Sequence, residues 1–158
     1  VPRDWLQDAD VELPAEIEAA GADVLDVAFR VHTAIGPGAL ESVYQKCMAL
    51  GLRKRGREVE ERVWVDVSFE EEIIERVLQI DLLVDGAVVV EMKAVDTLAD
   101  VHMAQLVSYL RLGQHPLGYL LNFHVSRMKA GIHRRINSRA LPPSRPWRSL
   151  RSSRSLDP

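Results

Sequence analysis

Residues 81–93 read Asp81-Leu-Leu-Val-Asp-Gly-Ala-Val-Val-Val-Glu91-Met-Lys93. Two apolar runs flank Asp85-Gly86, the pattern of a β-hairpin. Asp81 and Glu91 are carboxylates inside runs that otherwise have the composition of buried strand. Such burial is costly unless the charge is paired or holds a metal. Lys93 follows Glu91 by two residues and therefore points to the same side of its strand. Two carboxylates and an ammonium on one face suit a divalent cation, an activated water and an anionic substrate. That is the chemistry of metal-assisted phosphodiester hydrolysis.

Hairpin parity decides whether this face exists. A two-residue Asp85-Gly86 turn would send Asp81 and Glu91 to opposite faces. A three-residue loop, Val84-Asp85-Gly86 with Gly86 left-handed, makes them diagonal neighbours on one face, roughly 7 Å apart or less between side-chain bases. The odd loop is expected. The plain alternative is an Asp81–Lys93 ion pair at a strand end.

Working outward, the period before this hairpin is two. Val59 to Phe69 alternates apolar and polar residues, Glu70-Glu71-Glu72 is a charged turn, and Ile73 to Val84 is the next strand. Upstream the period is helical. Ile17, Ala20, Val24, Val27, Val31 and Ala34 share one face of a helix from Pro14 to Ile35, which Gly36-Pro37-Gly38 ends. A second helix is expected from Ala39 to Arg55, with Leu40, Val43/Tyr44, Cys47 and Leu50 as its apolar side. Downstream, a helix capped by Thr97 and Asp100 runs to Leu112, and Leu117 to Val125 is a fourth strand. A last helix is expected from Ser126 to Ile136. The fold class is thus α/β (mixed α+β), in the order α-α-β-β-β-α-β-α, with a four-stranded mixed sheet flanked by helices. The domain spans residues 13–137. A polar stretch, 1–12, precedes it, and an Arg/Ser/Pro tail with little to bury, 138–158, follows it; both are expected to be loose.

The chain has 158 residues, 47% hydrophobic and 27% charged, which fits one ordinary globular domain. The single cysteine, Cys47, excludes an internal disulfide and a cysteine-rich zinc site. No apolar run approaches the roughly 20 residues that cross a bilayer, and no signal-peptide pattern opens the sequence. No membrane association is expected, and the cytoplasm is the default compartment. The net charge of −3 hides an asymmetry. Residues 1–126 carry 11 Lys and Arg against 22 Asp and Glu, whereas residues 127–158 carry 9 against one. An acidic body argues against nonspecific nucleic-acid binding. The basic end is either a source of phosphate contacts or a solvated tail.

The helix after the third strand carries Gln105 and Tyr109, four apart and so on one face, with His102 one turn earlier. Beside a metal they are suited to orient a phosphate or base; otherwise they are packing. His102 is read as a surface or supporting group rather than a metal ligand. Asn122 and His124 lie on the fourth strand and either line the sheet face or pack.

Gly38-Ala-Leu-Glu41-Ser-Val-Tyr44 resembles the signature of the GxxExxY proteins. The likeness continues through Gln79-Ile-Asp81-Leu-Leu-Val, Val-Glu91-Met-Lys93-Ala, His102-Met-Ala-Gln105-Leu-Val-Ser-Tyr109-Leu and Leu121-Asn122-Phe123. It covers residues 14–137, while the Arg/Ser/Pro tail has no counterpart in it. That family looks like a branch of the PD-(D/E)xK nucleases, with a Gln-x-x-x-Tyr pattern similar to RecB-type exonuclease domains. The resemblance implies a restriction-endonuclease-like core and a Mg²⁺- or Mn²⁺-dependent nuclease acting on nucleic acid, DNA first among the candidates. Glu41, Asp81 and Glu91 would be the metal ligands and, with Lys93, the catalytic group. Gln105, Tyr109, Tyr44 and His102 would contact substrate. The rivals are a non-catalytic module that binds nucleic acid or protein, and a homo-oligomeric structural protein whose surface Trp64 and Tyr119 mark an interface.

Overall fold

The computed structural model describes residues 11–141. The expectations for the first ten residues and for the tail beyond Leu141 lie outside them. Three helices, α1 (Ala15–Ile35), α2 (Glu41–Lys54) and α3 (Asp100–Leu112), pack on five strands. The strands are β1 (Val59–Phe69), β2 (Glu72–Val84), β3 (Val88–Lys93), β4 (Leu117–Asn122) and β5 (Ile132–Ile136). They lie side by side in sequence order, antiparallel except for the parallel pair β3/β4, which α3 connects.

The sheet divides the core. On one face Ile17, Val24 and Val31 of α1 and Tyr44, Met48 and Leu52 of α2 meet Leu82, Val84, Val88, Val90 and Met92. On the other, Leu106 and Leu110 of α3 meet Leu83, Val89 and Leu120. Alternation along β3 therefore sends Val88, Val90 and Met92 toward α1 and α2, and Val89, Glu91 and Lys93 to the α3 side.

Two expectations need correction. The segment read as a final helix is a 3₁₀ turn, Met128–Gly131, followed by β5, so the sheet has five strands and not four. Ile132 and Ile136 stand four apart, a spacing that serves one helix face and one strand face alike. Backbone proximity decides between them: a Cβ on Gly131 would lie 2.0 Å from the Asn122 carbonyl oxygen, so only glycine lets the chain pass there. The second correction concerns α2, whose buried side is Tyr44, Met48, Ala49 and Leu52. Leu40, Val43 and Leu50, expected to be buried, are exposed. The helix is apolar on two sides and the sheet takes one of them.

The β2/β3 connection is odd in length, as parity required. Val84 pairs with Val88, leaving a three-residue loop, Asp85-Gly86-Ala87, one residue later than expected. Asp85 and Gly86 both take the left-handed conformation. The loop is locked from three sides. The Asp85 N–H donates to the Glu58 carbonyl at 2.8 Å. Its carboxylate accepts the Glu58 N–H and the Arg57 guanidinium, both at 3.0 Å, and Arg57 also donates to Asp23 of α1 at 2.7 Å. These half-buried bonds fix the hairpin register, and the register fixes which residue stands opposite Glu91.

Candidate metal and active site

The β2/β3 ladder has three rungs, from Val84–Val88 to Leu82–Val90. The next position would set Asp81 directly opposite Glu91, not diagonal to it. The ladder stops there. Asp81 has no strand partner in β1 either, because the pairing passes from Glu61–Leu82 to Val63–Ile80 across Arg62, whose φ is +53°. The carboxylates take over the missing rungs. The Asp81 N–H donates to Glu91 Oε1 at 3.0 Å, and the Met92 N–H donates to Asp81 Oδ2 at 3.0 Å. The Asp81 carbonyl accepts from Gln45 Nε2 of α2 at 3.4 Å. Beyond this point residues 72–80 of β2 pair with β1 alone. The pair thus sits at the fork where the β1/β2 hairpin leaves the sheet.

Electrostatics gather at this fork. Glu91 is only 6% exposed. Burial first, and the Asp81 charge second, push its carboxyl up to about 9, although the Asp81 N–H and the Lys93 charge pull the other way. Lys93 is half-buried and shares the Glu91 side of β3. Tyr109 of α3 is half-buried, and its hydroxyl is raised by burial and then by the charges of Glu91 and Asp81, so the α3 motif lies within electrostatic reach of the pair. Gln105, one turn earlier, is exposed.

The other expected site residues fall differently. Glu41 opens α2 and is exposed; Gln45, one turn later, reaches the Asp81 backbone carbonyl and not a carboxylate of the pair. Among the described residues, no three His, Cys, Asp or Glu side chains converge closely enough to hold an ion. The preformed part is the Asp81–Glu91 pair. Tyr44, expected to contact substrate, is fully buried. Its hydroxyl donates to the Gly36 carbonyl at 2.6 Å and accepts the Ala39 N–H at 3.1 Å, and its ring stacks on Phe123 at 4.4 Å. It ties down the Gly36-Pro37-Gly38 turn and has no surface for a ligand. His102 accepts the Ala99 N–H through Nδ1 at 3.1 Å, so the imidazole closes the start of α3 in place of the expected Thr97–Asp100 pair.

Two polar residues do more than the sequence declared. Asn122, 3% exposed, accepts the Val95 N–H at 3.1 Å and donates to the Val95 carbonyl at 2.9 Å. It clamps the loop that leaves Lys93. An amide in an otherwise apolar strand was the available signal. Gln45 was legible only as a polar residue four after Glu41.

A family model described as the PD-(D/E)XK nuclease superfamily matches residues 18–135. The chain belongs to that superfamily. No curated protein and no solved structure matches it. Members of the superfamily are typically metal-dependent, and the residues present suit a divalent cation. Each carboxylate of the Asp81–Glu91 pair is bonded through one oxygen to a backbone N–H, and the charge that burial and Asp81 disfavour on Glu91 is one a cation would offset. All-oxygen donors suit Mg²⁺ or Mn²⁺.

The raised Glu91 gives a test that needs no substrate. In the unfolded chain Glu91 ionises near its ordinary 4.5, and in the folded, cation-free protein near 9. The folded state binds more protons between those values, so stability falls as pH rises through that window. Glu91→Gln removes this slope and leaves the variant more stable than wild type at pH 8. Mg²⁺ or Mn²⁺ raises the melting temperature of wild type there, and that of the variant less. Thermal denaturation against pH measures both. Parallel profiles for the two proteins would mean that Glu91 ionises freely in the fold.

Proposed function

We propose that the chain is a Mg²⁺- or Mn²⁺-dependent nuclease that hydrolyses phosphodiester bonds in nucleic acid, with DNA as the first substrate to test. One observation carries the reading: buried Glu91 and half-buried Asp81 replace the strand ladder at a fork in the sheet, with Lys93 on the face of Glu91 and Tyr109 within reach of their charges. Asp81 and Glu91 hold the cation, and Glu41 joins them from the exposed first turn of α2. The bound ion supplies Lewis acidity toward the phosphate and lowers the pKa of a water. Lys93 stabilises the charge that builds on the phosphate oxygens. Gln105 and Tyr109 position the strand, and His102 holds the start of their helix. Gly38-Ala-Leu-Glu41-Ser-Val-Tyr44 supports placing the chain among the GxxExxY proteins within the superfamily.

The acidic body favours a second reading, a module that keeps the fold and binds nucleic acid or protein without cutting. Labelled single- and double-stranded DNA and RNA, incubated with Mg²⁺, Mn²⁺ or EDTA, separate the two. Metal-dependent cleavage is the expected result. Calorimetry of wild type and Asp81→Asn with the same ions completes the test. No cleavage, and no ion binding by wild type even with DNA present, would leave the non-catalytic module standing.

A further inference from the structure

Two apolar surfaces of this chain are left without a partner among the described residues. The first is the part of the β1/β2 hairpin beyond the fork. Phe69, Ile73, Ile74 and Val77 there are exposed, Ile73 by 71%. Its tip, Glu70-Glu71, and the adjoining Glu72 and Glu75 are exposed acids. The second lies between α1 and α2. A groove of about 380 Å³ is lined by Val27, Val31, Ala34, Ile35 and Cys47, with Arg30, Lys54 and Arg55 among its lining residues. The exposed side of α2 borders it, with Val43 and Leu50 open to solvent.

The two surfaces complement each other: an apolar ribbon with an acidic tip, and an apolar groove edged by cations. Arg30 and Arg55 share Asp26, and Arg55 also bonds Asp23, so part of that charge is met within the chain. Lys54 is exposed and makes no ion pair among the described residues. The two surfaces cannot meet within one chain. Val63 and Leu78 of the hairpin pack with the α3 core, whereas the groove belongs to α1 and α2 on the opposite face of the sheet. An acidic tip also repels a phosphate backbone, which argues against nucleic acid as the hairpin's partner.

We infer that the hairpin tip of one chain seats in the α1/α2 groove of a second copy, reciprocally, closing a two-fold dimer. Reciprocal insertion buries both surfaces twice and leaves no open end for further growth. Phe69 and Ile74, which the strand register puts on one face of the ribbon, are the anchors, and Lys54 faces the tip glutamates. The dimer contact is remote in kind from the Asp81–Glu91 fork and stands whether or not the protein cuts nucleic acid.

Light scattering coupled to size exclusion, on the full chain free of nucleic acid, tests this. Wild type is expected at twice the 17.8 kDa of the chain. Phe69→Ser with Ile74→Ser, both at exposed positions on one face, raises the dissociation constant by roughly 100-fold while leaving the circular dichroism spectrum unchanged. Lys54→Glu weakens association by about fivefold, the scale of an exposed charge pair, and Glu71→Lys in the same chain restores it. A wild type that is monomeric up to 100-fold above the concentration of the assay, or a dimer that survives the Phe69/Ile74 change, overturns the inference. A dimer lost on truncation after Leu141 but kept in the hairpin variant assigns the contact to the basic tail and overturns it equally.

Discussion

Asp81→Asn is expected to abolish metal-dependent cleavage without unfolding the protein. The change removes one charge and almost no volume. An asparagine oxygen still accepts the Met92 N–H, which Asp81 Oδ2 now holds at 3.0 Å. Alanine would be the poorer probe, because it leaves that buried N–H without a partner at a cost of about 1–3 kcal/mol. Loss of the Asp81 charge also relieves Glu91, whose carboxyl that charge helps to raise. The cation-free Asn variant should therefore melt at or above the wild-type temperature at pH 8 while losing its chemistry. Lys93→Ala should cost about 10²–10³-fold in cleavage rate, the scale of removing one preorganised electrostatic contact. Single-turnover cleavage of a labelled duplex, read beside thermal melts, measures both. An Asp81→Asn protein that cuts at the wild-type rate would remove this site from the reaction altogether.

Gly131→Ala is expected to be the most damaging small substitution away from the site. The added Cβ would stand 2.0 Å from the carbonyl oxygen and 3.0 Å from the carbonyl carbon of Asn122. Both are backbone atoms of a buried central strand, so no rotamer relieves the contact. Either the 3₁₀ turn lifts away, and β5 with it, or Asn122 moves. A cost of about 3 kcal/mol or more follows, at the upper end for an overpacked core position. For a domain of this length that is roughly a 10 °C fall in melting temperature. The damage should reach the fork, because Asn122 clamps Val95 two residues beyond Lys93. A variant whose melting temperature drops by less than about 2 °C would show that the turn has room the structure does not reveal.

The sheet and its helices were legible wherever one period ruled. Val59 to Phe69 keeps a period of two through most of its length and is β1 from end to end, and Ile17, Ala20, Val24, Val27 and Val31 are the buried stripe of α1. The reading slipped where a pattern served two structures. Ile132 and Ile136 fit both a helix and a strand. α2 carries two apolar stripes, and composition cannot choose between Tyr44 with Met48 and Leu40 with Val43. Tyr119, taken as a surface aromatic, is 2% exposed, and a Cβ on Gly21 would come within 2.8 Å of its hydroxyl. Trp64 is exposed as expected, with the Arg76 guanidinium 5.9 Å above its ring.

For the candidate site, the amino-acid order alone determined that Glu91 and Lys93 share a side of one strand, since alternation allows nothing else. It also determined that Asp81 joins them only across an odd loop. Tertiary structure decided the rest. Ion pairs from α1 and the start of β1 hold the loop at Asp85-Gly86-Ala87, and the ladder breaks at Asp81. There the carboxylates replace strand hydrogen bonds, because a backbone that leaves the sheet must find other partners for its buried N–H groups. Those partners come from residues far apart in the chain, and their meeting depends on how the helices and strands pack, which no local pattern encodes.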